Sequence, residues 1–263
     1  MLLRRKFFAL LLATCSCLAL VGLTPVQDAG APVKASRFAG KNVVITGANR
    51  GLGLEFAKQF IAAGANVIGS ARKPEGATEL AGTGARVLQL DVTDDASVAA
   101  FSAAIGKAEV HLLINNAGTS GRSLAGKSSR VEIARFIYDV NTLGPMRVTG
   151  ALIENLAAPE EAIIVNISSR LGSIAMNEDG GFHGYRESKA ALNMFSRSLA
   201  AEHQDKGVIA VCVSPGWVRT DMGGPAATLS PQESISGMHK LIEGLAAEDS
   251  GKFFKYSGEE LAW

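Results

Sequence analysis

The sequence predicts a single α/β domain, a doubly wound parallel sheet with helices on both faces. Three observations carry that reading. Short apolar runs alternate with longer helical patterns from residue 42 to residue 256. The runs are apolar throughout instead of alternating with polar residues, so each strand is buried on both faces, as in a parallel sheet. The first run, Asn42-Val43-Val44-Ile45, passes through Thr46-Gly47-Ala48-Asn49-Arg50-Gly51-Leu52-Gly53 into an amphipathic stretch. That order of strand, glycine turn and helix points unpaired N–H groups and a positive dipole end at a bound diphosphate.

Each element follows from local signals. A strand over 42–46 leads into a helix over 51–63, which Gly64 ends. A strand over 66–70 is followed by a loop over 73–84 with one helical turn. A strand over 86–90 stops at Asp91, and Thr93-Asp94-Asp95 starts a helix to about residue 105 with acidic residues at its positive end. A strand over 110–115 precedes a long helical pattern from 129 to about 155, in which Pro145 predicts a kink because it has no N–H to donate. A strand over 162–167, a helix from 183 to about 203, a strand over 208–213, a helix over 233–246 and a strand over 253–256 complete the chain. Strand–helix alternation at these lengths, with right-handed crossovers, is a Rossmann-type arrangement. No internal repeat and no second domain is seen.

Composition narrows the function. The net charge is +1 and 19% of residues are charged, without the clustered basic face of a nucleic-acid binder. Cys15 and Cys17 lie in the N-terminal segment; Cys212, in the run 208–213, is then alone, so no internal disulfide forms and a buried, inert thiol is expected. His111, His183, His203 and His239 are scattered without ligand spacing, which predicts no metal site.

The N-terminus reads as an address. Arg4-Arg5-Lys6 precedes an apolar run over 7–23, the pattern of a signal peptide. The run is close to the roughly 20 residues that span a bilayer, so an uncleaved anchor stays open, and any membrane contact is confined to 7–23. Arg4-Arg5 resembles a twin-arginine export signal, which predicts an exported, periplasmic or anchored protein in preference to a cytoplasmic one. Residues 24–38 read as a linker, giving a leader over 1–38 and a folded domain over 39–263.

Ligands of such sheets bind at the carboxyl ends of the strands. The first turn offers Gly47, Asn49, Arg50, Gly51, Leu52 and Gly53 to a dinucleotide. At the end of the second strand, Ala71 stands where an acidic residue would accept the ribose hydroxyl of NAD(H), and Arg72 follows it. With Arg50, two guanidiniums are available for a 2′-phosphate, which predicts NADP(H) in preference to NAD(H). Arg72 alone reads equally as a solvated charge. Asp91 and Val92 close the third strand, where Asp91 either reaches the adenine or belongs to the start of the next helix. Asn115, Ala117 and Gly118 close the fourth.

Tyr185 and Lys189 are four residues apart, hence one turn apart on one helix face. An ammonium beside a phenol favours the phenolate and brings an acid/base nearer neutrality than the free value of roughly 10. Ser168 and Ser169 stand at the end of the fifth strand, and Asn141 is a polar residue on an otherwise apolar helical face.

These motifs, in this order and with Pro215-Gly216 after the sixth strand, resemble the short-chain dehydrogenase/reductase family from about Lys41 to Trp263. The stretches at 169–173 and 185–193 and the Gly-Glu-Glu-Leu-Ala-Trp ending are similar to sniffer-like carbonyl reductases and C-factor-like proteins. The resemblance implies roles by position. Tyr185 is the general acid that protonates a carbonyl oxygen. Lys189 holds the nicotinamide ribose and assists Tyr185. Ser169, followed three residues later by Gly172, binds the substrate oxygen, with Ser168 as runner-up. Asn141 anchors a water in a proton relay. Pro215, Gly216, Val218 and Thr220 close over the nicotinamide. The segment 170–184 is longer than is common in the family, and the export-like leader is a second departure.

The expected function is reduction of an aldehyde or ketone, or the reverse oxidation. A lyase or epimerase on the same fold, and an NADP(H)-binding sensor or signalling protein with little turnover, are the rivals. Residues 221–230, rich in Gly, Pro and Ala, read as a mobile lid. Trp217, Met222 and Leu229 suggest an apolar pocket for a small-molecule substrate. The resemblance implies a homodimer or homotetramer through the helices over 129–155 and 183–203.

Overall fold

The computed structural model describes residues 35–126 and 128–263. The leader, with its export and anchor readings, lies outside the described residues apart from its last residues, 35–38.

Seven strands form one parallel sheet: β1 (Asn42–Ile45), β2 (Asn66–Ala71), β3 (Arg86–Gln89), β4 (Leu112–Asn115), β5 (Ala162–Ile167), β6 (Val208–Ser214) and β7 (Phe253–Lys255). Their order is β3-β2-β1-β4-β5-β6-β7, the predicted doubly wound sheet. The helices between them are α1 (Gly51–Ala62), α2 (Thr78–Gly82), α3 (Asp95–Ile105), α4 (Arg130–Tyr138), α5 (Gly144–Leu156), α6 (Tyr185–His203) and α7 (Pro231–Gly244).

The period of two along each strand sends neighbouring residues to opposite faces. On one face Val43, Ile45, Ile163 and Val165 pack with Phe56 and Phe60 of α1 and Ile235, Met238 and Ile242 of α7. On the other, Val44, Leu113 and Ile164 pack with Phe101 of α3, Val148, Leu152 and Leu156 of α5 and Leu199 of α6. Both faces being covered is why the strands are apolar throughout. Phe60 lies 5.6 Å from Phe38, 6.3 Å from Phe56 and 4.6 Å from His239 between ring centroids. A Phe60→Ala change there would cost about 3–5 kcal/mol.

The helix starts explain the shifts from the sequence reading. Asp94 caps α3 by accepting from the Ala96 N–H. Ser129 with Glu132 and Ser230 with Glu233 form capping boxes at α4 and α7, so α7 begins at Pro231, two residues earlier than predicted. The helix expected from 183 starts at Tyr185 instead, because Phe182 (φ 49) and Gly184 (φ 83) are left-handed and interrupt it. The long pattern from 129 is broken at Asp139–Leu143, a π turn between α4 and α5, where Pro145 withholds the N–H that a regular helix would give to the Asn141 carbonyl.

The folded body begins before the predicted boundary at 39. Phe38 is buried, Arg37 donates to the Leu245 carbonyl at 2.7 Å, and Ser36 bonds Glu243. These contacts secure residues 36–38 to the C-terminal end of α7.

Candidate active site

The direction of winding reverses between β1 and β4, so the loops leaving their carboxyl ends part and open a crevice. The loops after β1, β4, β5 and β6, with the turn before α5 and the start of α6, carry most of the sequence-predicted residues.

The glycine turn fits a diphosphate for distinct reasons at each glycine. Gly47 (φ 63) and Gly51 (φ 55) have left-handed backbones. At Gly53 a Cβ would lie 2.3 Å from the Gly47 carbonyl oxygen and 2.6 Å from the Asn116 amide nitrogen, so only hydrogen is tolerated. No side chain caps the N-terminus of α1, which begins at Gly51 and Leu52. Asn49 and Arg50 are exposed beside it. This is a cradle of backbone donors of the kind that receives phosphate.

Asn116, which sequence reasoning passed over, secures the cradle to β4. Its amide donates to the Thr46 and Gly47 carbonyls at 2.9 and 3.1 Å, and the Thr46 hydroxyl accepts from the N–H groups of Asn116 and Ala117, both at 3.0 Å. The Asn-Asn doublet after β4 was the signal available. Asn115 turns the other way: its amide donates to Thr149 and to Asn166, at 3.1 and 2.9 Å, beneath the crevice. Only its main chain stands at the strand end.

The two expected phosphate-binding arginines have separate partners. Arg50 reaches across to Asp221 in the loop after β6 as an exposed ion pair. Arg72, exposed after β2, lies near enough to Asp91 to influence its ionisation. Burial pushes the Asp91 carboxyl up, but bonds from the Thr93 hydroxyl and N–H, at 2.7 and 3.0 Å, and the Arg72 charge outweigh it and hold the group below its ordinary value. Asp91 therefore braces the turn before α3. Val92 packs on the start of α5, where a Cβ on Gly144 would come within 2.9 Å of it.

The expected acid/base group assembles at the ends of β4 and β5. Asn141 is fully buried in the π turn. Its amide donates to the Thr119 carbonyl at 2.9 Å and to the Ser188 hydroxyl at 3.1 Å, and its oxygen accepts from the Thr119 N–H at 2.8 Å. Gly118 keeps this corner open: a Cβ there would lie 3.4 Å from the Asn141 side-chain oxygen and 3.9 Å from Lys189 Nζ. Lys189 donates to the Ile167 carbonyl at 2.8 Å and stands 5.9 Å from the centroid of the Tyr185 ring. Gly172 lets the turn after β5 lie on α6, since its Cβ would meet Lys189 Cβ at 2.7 Å.

The two serines are separated by geometry. Ser168 is buried and donates to Asn193 at 2.6 Å. Ser169 accepts from the Leu171 N–H at 3.1 Å and its hydroxyl engages the Tyr185 phenol.

One expectation is corrected. Burial raises the Tyr185 phenol above its ordinary value, and the Ser169 hydrogen bond only partly offsets this. The Lys189 ammonium donates to the Ile167 carbonyl and is itself desolvated, its pKa lowered to about 8 by burial. The phenol thus holds its proton across the neutral range, as a donor to a carbonyl must.

The loop after β6 is fastened at several points. Gly216 (φ 80) packs against Leu229 and Tyr256, the Pro215 carbonyl accepts from Ser234 at 2.7 Å, and Val218 pairs with Leu229. Thr220 accepts from the Gly223 N–H at 3.2 Å, Arg219 donates to the carbonyls of Ala227 and Thr228, and Arg122 donates to the Met222 carbonyl at 3.1 Å. Three arginines, Arg50, Arg122 and Arg219, reach the segment expected as a mobile lid. Met222 within the segment and Trp217 ahead of it stay exposed.

Known proteins resemble this chain. The profile of the short chain dehydrogenase family matches residues 41–229. C-signal of Myxococcus xanthus is 45% identical over 165 residues, which are 62% of this chain and 99% of that protein. The crystal structure of the NADPH-bound carbonyl reductase from chicken fatty liver superposes with a TM-score of 0.79 at 33% identity, covering 86% of this chain and 100% of that one. The carbonyl reductase Sniffer of D. melanogaster gives 0.78 at 29% identity, with the same coverage. With a matched region that spans the glycine turn, the π turn and the Tyr185–Lys189 helix, the chain belongs to the short-chain dehydrogenase/reductase family of oxidoreductases.

Proposed function

We propose that the protein is an NADP(H)-dependent carbonyl reductase that converts an aldehyde or ketone to an alcohol. The observation that carries this reading is the convergence of Asn141, Ser169, Tyr185 and Lys189 at the carboxyl ends of β4 and β5. When bound, NADPH supplies the hydride. The chain's own residues handle the oxygen and the proton. The Ser169 hydroxyl orients the carbonyl oxygen, and the Tyr185 phenol, kept neutral by burial, donates the proton as charge develops there. Lys189, one turn along α6 with its ammonium 5.9 Å from the centroid of the Tyr185 ring, would hold the nicotinamide ribose. Asn141 fixes Thr119 and Ser188 around it. Gly47, Asn49, Arg50, Gly51, Leu52 and Gly53 would hold the diphosphate, and Arg50 with Arg72 the 2′-phosphate.

The test is NADPH oxidation over a panel of aldehydes and ketones. Turnover that Tyr185→Phe abolishes is expected. Tight NADPH binding with no turnover on any carbonyl would overturn the reading and favour a second one, a signalling protein that binds NADP(H), which the 45% identity to C-signal supports.

Two further proposals accompany it. Export through the twin-arginine-like leader predicts a periplasmic or anchored pool that Arg4→Lys with Arg5→Lys abolishes in a fractionation; a cytoplasmic wild type would refute it. Homo-oligomerisation through the α4–α5 and α6 faces is supported by exposed Val131, Leu143, Met146 and Met194. Light scattering of a Met146→Glu/Met194→Glu variant tests it, with a smaller particle expected.

A further inference from the structure

The segment over 173–184 joins the two ends of the candidate site. It leaves the turn after Ser169 and re-enters the fold at Tyr185, and its residues 174–183 are all exposed. Its hydrogen bonds are almost entirely internal. Met176 N–H donates to the Ser173 hydroxyl at 3.1 Å, Asn177 N–H to the Ile174 carbonyl at 3.3 Å and Gly180 N–H to the Asn177 side chain at 3.1 Å. At its far end the Phe182 carbonyl accepts from the N–H groups of Tyr185 and Arg186 at 3.0 and 3.1 Å. Phe182 itself has φ 49, among the left-handed glycines 180, 181 and 184. A non-glycine residue in that region is strained by about 1–3 kcal/mol and persists only where its surroundings impose it.

Among the described residues, one hydrogen bond fastens residues 174–183 to a distant part of the chain: the Ala175 N–H donates to the Trp263 main-chain oxygen at 2.8 Å. Trp263 stands on a firm base. Its indole stacks on Phe253 of β7 at 5.5 Å between centroids, and the Arg197 guanidinium of α6 covers it at 5.8 Å. Leu261, two residues before it, is buried with Phe253 and Cys212 and donates to the Phe253 carbonyl at 2.7 Å. A small cavity lined by Ile174, Met194, Arg197 and Trp263 lies beside the bond. The base of the segment is rigidly coupled to the chemistry, since Gly172 rests on Lys189 Cβ and its carbonyl accepts from Asn193, the partner of Ser168.

We infer that Trp263 is a positioning residue that tethers the 173–184 segment, the link from Ser169 to Tyr185, and thereby sets affinity for the carbonyl substrate. It touches none of the expected reacting groups. The sheet edge at β7 holds the indole, the indole's main chain holds Ala175, and Ala175 fixes a flap that carries exposed Ile174, Met176 and Phe182 between Ser169 and Tyr185. The inference rests on the carbonyl-reductase reading for its kinetic consequence, while the tether itself stands on the contacts alone.

The experiment compares Trp263→Ala, Trp263→Phe and Ala175→Pro with the wild type, in hydrogen exchange and in NADPH-dependent reduction of benzaldehyde and menadione. Ala175→Pro removes the donor and leaves the indole in place, so it carries the test even where Trp263→Ala folds poorly. Faster exchange confined to residues 173–184 is expected in Trp263→Ala. A KM about fivefold higher, the size of one net hydrogen bond, is expected in both Trp263→Ala and Ala175→Pro, with kcat and NADPH affinity unchanged. Trp263→Phe, which keeps the stack on Phe253, restores the wild-type values. Unchanged exchange in this segment overturns the tether. Faster exchange with an unchanged KM overturns its role in substrate affinity. A wild type that reduces no carbonyl defeats the proposed function, while the exchange comparison still decides the tether.

Discussion

Arg50 of the glycine turn and Asp221 of the loop after β6 are joined as an ion pair across the mouth of the crevice. The same guanidinium is the expected partner of a 2′-phosphate, so carboxylate and phosphate compete for it. The pair is two-thirds or more exposed on both sides and is weak by that fact. Asp221→Asn is expected to tighten NADPH binding about twofold to fivefold, with little effect on NADH. Arg72→Ala should weaken NADPH far more than NADH. Fluorescence titration of both cofactors measures this, and equal changes for the two would remove the argument for NADP(H).

The buried Lys189 makes stability depend on pH in a definite direction. Burial lowers its pKa to about 8 from an ordinary 10.5, so the folded chain releases this proton first. Between those values the unfolded chain binds more protons, and stability rises with pH. Cys212 acts oppositely: burial pushes its thiol up to about 12 from 9.0, so above 9.0 the folded chain binds the extra proton and stability falls. The window where Lys189 acts alone is pH 8 to 9. There, wild-type stability should gain about 1 kcal/mol relative to Lys189→Met, at roughly 1.4 kcal/mol per pKa unit. Urea unfolding of both chains at pH 7, 8 and 9 checks it, and parallel curves would show that the lysine is not desolvated.

The serines predict opposite phenotypes. Ser168 is buried with its hydroxyl given to Asn193, so Ser168→Ala strands a buried amide oxygen and should cost about 1–3 kcal/mol of stability with kcat nearly intact. Ser169 engages Tyr185 at the crevice, so Ser169→Ala should lower kcat about 100-fold with little change in melting temperature. Thermal unfolding beside steady-state kinetics separates the two, and a reversal would reassign the substrate-binding hydroxyl.

These contrasts show what the sequence made legible. Strands β1, β4, β5 and β6 were readable because burial on both faces writes an unbroken apolar run. The glycine turn was readable because Gly47, Gly51 and Gly53 each answer a local steric demand. Interactions between distant segments were not. A run of Gly, Pro and Ala over 221–230 gives no sign that Arg50 and Arg122 reach it from two other loops. A lysine one turn from a tyrosine gives no sign that its ammonium also donates to the Ile167 carbonyl. Residues 36–38 look like linker until Glu243 and Leu245 are seen beneath them.

The π turn over Asp139–Leu143 is the remaining case, because proline announces a break without saying which kind. Pro145 cannot donate to the Asn141 carbonyl, so the donor that a regular helix would offer that oxygen is missing. Pro145→Ala restores a donor worth about 1 kcal/mol to a regular helix. Against it stand three side-chain bonds of Asn141 to Thr119 and Ser188, and the bond from Thr142 to the Ser188 carbonyl at 2.9 Å. The side-chain bonds outweigh the single helix bond, so the π turn should persist in Pro145→Ala, with kcat changed less than about twofold. Asn141→Ala loses all three bonds and leaves both Thr119 backbone groups without partners. It should cost about 2–4 kcal/mol of stability and reduce kcat far more than Pro145→Ala does. Kinetics of both variants, with backbone NMR shifts across 139–143, decide the matter; a Pro145→Ala chain with full activity and a regular helix there would show that the turn has no part in the chemistry.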